Sequence, residues 1–193
     1  MEKAVGKGTL THLGTWIGFD TEAHRDVYTA LVQASGAKMY QANSSNRDII
    51  VRERFTEDQS GVLFIGNYYN EPHFGSVTYK HPATDENIQI PYNQESMEFP
   101  PLYGILTPLL YPLANDVTLL HTTSDILKAE GTNLTLFGNR DLLGEVVLEG
   151  KGISNVKTVL LNGNVLEFKM VNNRLVVNYA HSHQAEMLLE IKF

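Results

Sequence analysis

Mainly β, with β-sandwich domains of the immunoglobulin-like or jelly-roll kind behind a short αβ segment, is the fold class that this sequence predicts. Three observations carry it. Over roughly the last seventy residues, apolar positions alternate in short runs broken by turn residues every eight to twelve positions, the pattern of a sandwich. All seven prolines fall between Pro72 and Pro112, so strands there are short or lie at edges, because proline donates nothing to a ladder. Only one stretch carries helical spacing: Val27, Ala30, Leu31 and Ala34 stand at i, i+3, i+4 and i+7.

The elements follow in chain order. Thr9 to Ile17 reads as a strand broken at Gly14. Asp20 or Thr21 can cap the helix that follows, since a side-chain oxygen there accepts an orphan amide of the first turn. Gly36 is a natural stop. The polar run Gln41-Ala42-Asn43-Ser44-Ser45-Asn46 reads as a linker. Ile49 to Phe55 alternates, Gly61 to Ile65 is a short apolar run, and Val77 and Tyr79 share a strand face. Further on, Leu134 and Leu136, then Val146 and Leu148, alternate. Asn162-Gly163 and Asn172-Asn173 tolerate the positive φ of tight hairpin turns. Leu166, Phe168 and Met170 lie on one face, Leu175, Val177 and Tyr179 on the next, and Met187, Leu189, Ile191 and Phe193 form a last apolar face. The expected division is a strand-helix segment over 1–42, a β domain with proline-rich loops over 43–123, and a C-terminal β-sandwich over 124–193.

Composition narrows the function classes. The chain has no cysteine, which excludes disulfides, thiolate metal sites and a Cys nucleophile. Its formal net charge of -7 leaves no basic face for a phosphate backbone, so no nucleic-acid partner is expected. No run reaches the length of a membrane span, and no secretory signal is visible; no membrane partner and a cytoplasmic location are expected.

No motif marks a catalytic centre. His181-Ser182-His183 puts two imidazoles on one strand face, but zinc takes three or four ligands, and a polar loop between strands is the plainer reading. No metal site and no cofactor are expected. The G-x-S-x-G elbow and the phosphate loop are absent; Gly6-Lys7-Gly8 reads as a turn entering a strand. Glycosidases use two carboxylates flanking the scissile bond. Glu53, Glu57, Glu71, Glu95, Glu98 and Glu145 qualify by type, and none stands in a marking motif. The most binding-like cluster is Asn67-Tyr68-Tyr69-Asn70, with Phe64 and Phe74 nearby. Aromatic faces stack on the CH-rich faces of sugars while amides bond their hydroxyls. The alternative is tyrosines filling a core with asparagines in turns. Trp16, the only tryptophan, reads as a packing residue.

Several phrases, in order along the chain, resemble the regions that follow the catalytic barrel in beta-galactosidases of the family thirty-five type. Gly6-Lys7-Gly8, Leu13-Gly14-Thr15 and the helix after them are similar to the last strand and helix of a flavodoxin-like domain. Arg47 to Glu53 is similar to the opening of the β region after it, and Leu63-Phe64-Ile65-Gly66-Asn67-Tyr68 to its leading strand. Phe99-Pro100-Pro101-Leu102-Tyr103-Gly104-Ile105-Leu106 resembles a segment that precedes a Thr-Ser strand, here His121-Thr122-Thr123-Ser124-Asp125. Leu136-Phe137-Gly138 with Gly144-Glu145-Val146 is similar to a strand pair of the C-terminal sandwich.

The resemblance implies a non-catalytic C-terminal piece of a beta-galactosidase-like glycoside hydrolase. The family's catalytic glutamates lie on a preceding barrel, and one helix cannot make eight βα units; the chain is therefore expected to be no enzyme, a fragment that begins within the end of a domain. Its expected partner is the catalytic barrel, with a homo-oligomer contact and carbohydrate as further partners. The alternatives are a carbohydrate-binding module on Asn67, Tyr68, Tyr69 and Asn70, or a stand-alone interaction protein. Outward or inward tyrosines separate the first two readings.

Overall fold

The computed structural model describes residues 2–14, 22–37, 39–138, 142–182 and 185–193. The fold is mainly β, 53% strand against 9% helix. It divides into two compact units, Met1–Tyr40 and Gln41–Phe193.

The first unit holds β1 (Glu2–Val5) and β2 (Gly8–Thr11), paired antiparallel as a hairpin, and the helix α1 (Glu22–Ala34). The turn is made at Gly6, whose φ of 61 suits glycine. The helix ends at Gly36, φ 75, where Ser35 N–H still reaches the Leu31 carbonyl. The expected end of a flavodoxin-like domain is not evident here. The Gly8–Thr11 strand pairs with its own neighbour, and among the described residues of 2–37 none is buried. The helical stripe is formed yet uncovered: Val27 is 46% exposed. A two-stranded ribbon and one helix have too little surface to enclose a side chain. Trp16, Ile17 and the cap at Asp20 or Thr21 lie outside the described residues.

The second unit runs through β3 (Asn43–Ser44), β4 (Ile49–Phe55), β5 (Gly61–Asn67), β6 (His73–Gly75), β7 (Val77–Lys80), β8 (Asn87–Ile90), β9 (Met97–Phe99) and β10 (Tyr103–Leu109). It continues through β11 (Tyr111–Pro112), β12 (Thr118–Thr122), β13 (Asp125–Glu130), β14 (Asn133–Phe137), β15 (Leu143–Glu149), a 3-10 turn (Lys151–Asn155), β16 (Thr158–Leu161), β17 (Asn164–Leu166), β18 (Phe168–Val171), β19 (Arg174–Ala180) and β20 (Met187–Lys192). Its sheets follow one another in a ring that resembles a propeller. Small sheets β10-β5-β4, β3-β7-β8 and β6-β9 precede two five-stranded ones, β11-β12-β15-β19-β18 and β13-β14-β20-β16-β17. The division expected at 123/124 does not occur. β12, before it, pairs with β15, after it, inside one sheet of one unit. The chain changes sheets there, and a change of sheet is not a change of domain.

In the sheet β11-β12-β15-β19-β18 the central strands β12, β15 and β19 bury apolar side chains on both faces. On one face Leu119, Val146, Leu148, Leu175 and Val177 share a core with Leu134, Leu136, Val159, Met187, Leu189 and Ile191 of the other five-stranded sheet. On the opposite face Leu120, Val147 and Val176 join a second core with Val51, Leu63, Ile65, Val77, Tyr79, Ile88 and Ile105. This is why Val146-Val147-Leu148 and Leu175-Val176-Val177 are unbroken apolar runs: a strand buried on both faces has no polar side to alternate with. The hairpin turns at Asn162-Gly163, φ 51 and 78, and at Asn172-Asn173, φ 50 and 59, supply the left-handed backbone that tight turns need.

The last strand is internal to its sheet, with β14 on one side and β16 on the other. Met187, Leu189 and Ile191 are buried, and Leu188 faces out at 41%. Each buried side chain contributes about 1.5–3 kcal/mol, against about 5–15 kcal/mol of net stability for a domain. Deleting residues 186–193 therefore unfolds the second unit cooperatively. Thermal melting and limited proteolysis test this; a truncated chain that melts within a degree or two of the full one would show that the strand is dispensable.

Candidate functional site

The exposed aromatic group forms where β5 leaves its sheet. Asn67, the last residue of that strand, is 1% exposed and committed to the backbone. Its Nδ2 donates to the carbonyls of Glu71 at 2.8 Å, Phe99 at 3.1 Å and Pro100 at 3.1 Å, and its Oδ1 accepts the Tyr69 N–H at 2.9 Å. Leu102 N–H donates to the Tyr69 carbonyl at 3.0 Å. The turn is thus tied on both sides, and Tyr68 and Tyr69 project from it, 61% and 47% exposed. Asn70 is exposed. Of the four residues expected to bind, Asn67 is a structural organiser with no group to spare, because its polar atoms are already satisfied. The two tyrosines and Asn70 face solvent.

Each tyrosine has an aromatic neighbour. Tyr68 lies 6.4 Å from Phe64, centroid to centroid, with the rings tilted by 33°. Phe64 lies over two glycines paired across the strands, Gly66 and Gly104. A Cβ on Gly66 would stand 2.9 Å from that ring, and one on Gly104 3.1 Å; the missing side chains make its seat. Tyr69 meets His73 edge-on at 5.1 Å, and Phe74 is 59% exposed. The polar atoms nearest this side belong to His73, Glu71 and Asp48. His73 Nδ1 is 4.0 Å from an Asp48 carboxylate oxygen and Nε2 is 3.9 Å from Glu71 Oε1. These are ion-pair distances too long for hydrogen bonds. The sequence reading missed His73 as a neighbour of Tyr69, although His73, four residues on, sits in a strand paired with Phe99.

A second cluster has a buried centre, His121, Glu145 and Arg174, with Glu86 and Asn178 at its exposed margins. Glu145, Glu149, Arg174 and Asn178 share a strand face with Val147 and Val176, by the period of two. Glu145 and His121 are both fully buried, with His121 Nε2 3.0 Å from Glu145 Oε1. The Tyr92 N–H donates to both Glu145 oxygens at 3.0 Å, and Asn178 Nδ2 to Oε2 at 3.3 Å. Farther along, Arg174 donates to both oxygens of Glu86 at 2.8 and 2.7 Å, to Glu149 at 3.2 Å and to the Tyr92 hydroxyl at 3.0 Å. Those hydrogen bonds hold the Glu86 carboxyl below its ordinary range and push the Arg174 guanidinium up. Burial pushes Tyr79 well above the ordinary tyrosine value. Every one of these groups is spent on holding strands together.

The remaining carboxylates singled out by type differ in setting. Glu53 is buried and its oxygens accept the Gln41 and Ala42 N–H groups. Glu57, Glu71 and Glu95 are exposed, and Glu98 is half-buried. His181 is buried and structural; His183 lies outside the described residues. Among the described residues no group of three or more His, Cys, Asp or Glu is placed to hold a metal ion, and no helix is long and apolar enough to cross a membrane. No family model and no curated protein matches this chain.

Removing Glu145 leaves His121, the Tyr92 N–H and Asn178 facing an empty acceptor site in the core. Breaking a buried pair by deleting one partner costs about 3–5 kcal/mol. Glu145→Ala is expected to lower stability by that amount in urea unfolding, and Glu57→Ala, at an exposed position, to leave it within about 0.5 kcal/mol. Equal effects of the two substitutions would refute the assignment.

Proposed function

We propose that this chain is a non-catalytic accessory β module of a beta-galactosidase-like glycoside hydrolase, and that it holds carbohydrate on Tyr68 and Tyr69. The observation that carries the binding half is the outward projection of both tyrosines from a turn fixed by Asn67. Exposed aromatic rings at a rigid turn are costly unless something covers them, and sugar faces are suited to do so. Asn70 and Glu71, both exposed beside them, supply an amide and a carboxylate for hydroxyls. The parent enzyme enters through the ordered phrases from Gly6 to Val146 described above. In this reading the two five-stranded sheets, which share one core, form a β-sandwich of the kind such accessory regions use.

A second reading is favoured by a separate surface. On the outer face of β5 and β10, Val62 and Leu106 are 42% and 56% exposed beside Phe64, and Leu102, in the turn before β10, is 65% exposed. A shallow groove of about 340 Å³ continues this face past Pro108, Tyr111 and Leu127. A contiguous apolar face of this sort suits a protein partner such as the catalytic barrel or a second subunit, and the module would then brace that partner.

Titration of the purified chain with galactose-containing oligosaccharides, followed by calorimetry or tyrosine fluorescence, tests the first reading. The expected result is saturable binding that falls at least about tenfold in Tyr68→Ala plus Tyr69→Ala, with unchanged melting, since even one aromatic ring stacking on a nucleic-acid base contributes on the order of 1–3 kcal/mol and two rings are removed here. The same preparation is expected to hydrolyse no nitrophenyl galactoside. Binding that survives loss of both tyrosines, or hydrolysis abolished by a glutamate substitution in this chain, would overturn it.

A further inference from the structure

We infer that His181 is an acid-sensitive latch, tying the end of β19 to the Ser124 corner and to the chain at Leu142. The geometry fixes the direction of each hydrogen bond. His181 Nδ1 lies 2.6 Å from the Leu142 carbonyl; a carbonyl only accepts, so Nδ1 carries the proton. In the neutral ring Nε2 is then an acceptor. The Ser124 hydroxyl, 2.7 Å away, donates to it. Ser124 Oγ in turn lies 2.5 Å from the Tyr179 hydroxyl, which donates to Ser124. Ser124 is the residue at which the chain leaves one five-stranded sheet for the other, so the wire joins the two sheets.

The site has no slack. A Cβ on Gly138 would stand 2.2 Å from the His181 ring. Ser124 is fully buried, and Tyr179 and His181 are nearly so. Among the described residues, the titratable groups that face the imidazole are Asp125 from β13 and Tyr179 from β19. Adding a proton at Nε2 removes the acceptor of the Ser124 hydroxyl. Nε2 then donates to the Ser124 oxygen, which can still accept from Tyr179, and the Ser124 proton is left without the partner it had. A buried cation also replaces a neutral ring, with Asp125 the one carboxylate among the described residues that attracts it.

The signs follow. Burial pushes His181 below the ordinary histidine value of 6.5, while the Leu142 bond and Asp125 oppose it more weakly. An opened His181 takes up a proton near that value and the closed one does not. The closed state is therefore favoured as pH rises through the window between the closed-state value and 6.5, and within that window it loses up to about tenfold per pH unit as pH falls, one proton being taken up on opening. Burial raises the Asp125 carboxyl, which acts with the opposite sign and from the acid side. Tyr179, pushed up to about 12 by burial, does not titrate in this window.

The full chain, studied by imidazole nitrogen NMR and by amide exchange between pH 7.5 and 5, tests the latch. The expected spectrum shows the Nδ1–H tautomer and a His181 midpoint below 6.5. Amides of 122–126, 142–146 and 178–182, corrected for intrinsic exchange, are expected to lose protection by up to about tenfold per pH unit between 6.5 and that midpoint and no further below it, while the β16–β17 hairpin does not follow them. Asp125→Asn, which leaves the ring and its bonds in place, is expected to lower the His181 midpoint further. His181→Asn removes the pH dependence if it folds. A midpoint at or above 6.5, a midpoint unmoved by Asp125→Asn, or a loss of protection spread evenly over all strands would each overturn the proposal.

Discussion

The structure depends on three central strands of one sheet whose apolar side chains are buried on both faces. Because β12, β15 and β19 are covered on both sides, any polar group they carry has to be satisfied inside the protein. An unpaired buried charge costs far more than a typical domain has in reserve. The sequence meets this constraint by placing its charges at the two ends of the apolar runs. Glu145 and Glu149 bracket Val146-Val147-Leu148, and Arg174 and Asn178 bracket Leu175-Val176-Val177. Antiparallel register puts Glu145 opposite Asn178, on the face that meets β7 and β8. The polar atoms thus form a rim around the apolar centre and find partners in His81, Glu86 and Tyr92, which the loops of the smaller sheets bring to that face, and in His121 of β12 itself.

This rim also explains why the 41–193 unit does not separate at residue 123. A hydrophobic interface alone tolerates sliding. An interface in which Tyr92 N–H bonds both oxygens of Glu145, and Arg174 grips Glu86 with two nitrogens, has one register only. The smaller sheets are held to the larger ones by directional bonds as well as by the core of Val51, Leu63, Ile88, Val147 and Val176. The proline-rich stretch serves the same end: its loops carry His81, Glu86 and Tyr92, the groups that reach into the rim.

How much of this was legible depends on whether the physical signal is local. The hairpins at Asn162-Gly163 and Asn172-Asn173 were legible because positive φ is a property of those residues. The last strand was legible because it faces a core on one side and solvent on the other, giving a clean period of two. β15 was only partly legible. Val146 and Leu148 were read as alternating, but Val147 is equally buried, and a second covered face cannot be inferred from one strand. Glu145 was noticed as a carboxylate and its role was not. Its partners lie 24, 33 and 53 residues away, and nothing local announces them. The first unit failed differently. Its helix carries an apolar stripe, but periodicity says which face wants burial, not whether anything is there to bury it.

The same reasoning bears on the aromatic turn. Asn67 was expected among the binding groups because amides bond sugar hydroxyls. An asparagine that closes a strand on a four-residue return, however, does more for the site by spending its amide on three carbonyls. It fixes the backbone from which Tyr68 and Tyr69 project, so little conformational entropy remains to be lost when a ligand settles on the rings. The Gly66–Gly104 pair contributes in the same way, since a flat seat keeps Phe64, and with it Tyr68, in one orientation. The proposed binding surface then has two layers. The buried layer, Asn67 with the paired glycines, sets geometry. The exposed layer, the tyrosines with Asn70 and Glu71, is the proposed contact surface. Residue type alone does not separate the two, because only the fold tells which polar groups already have partners.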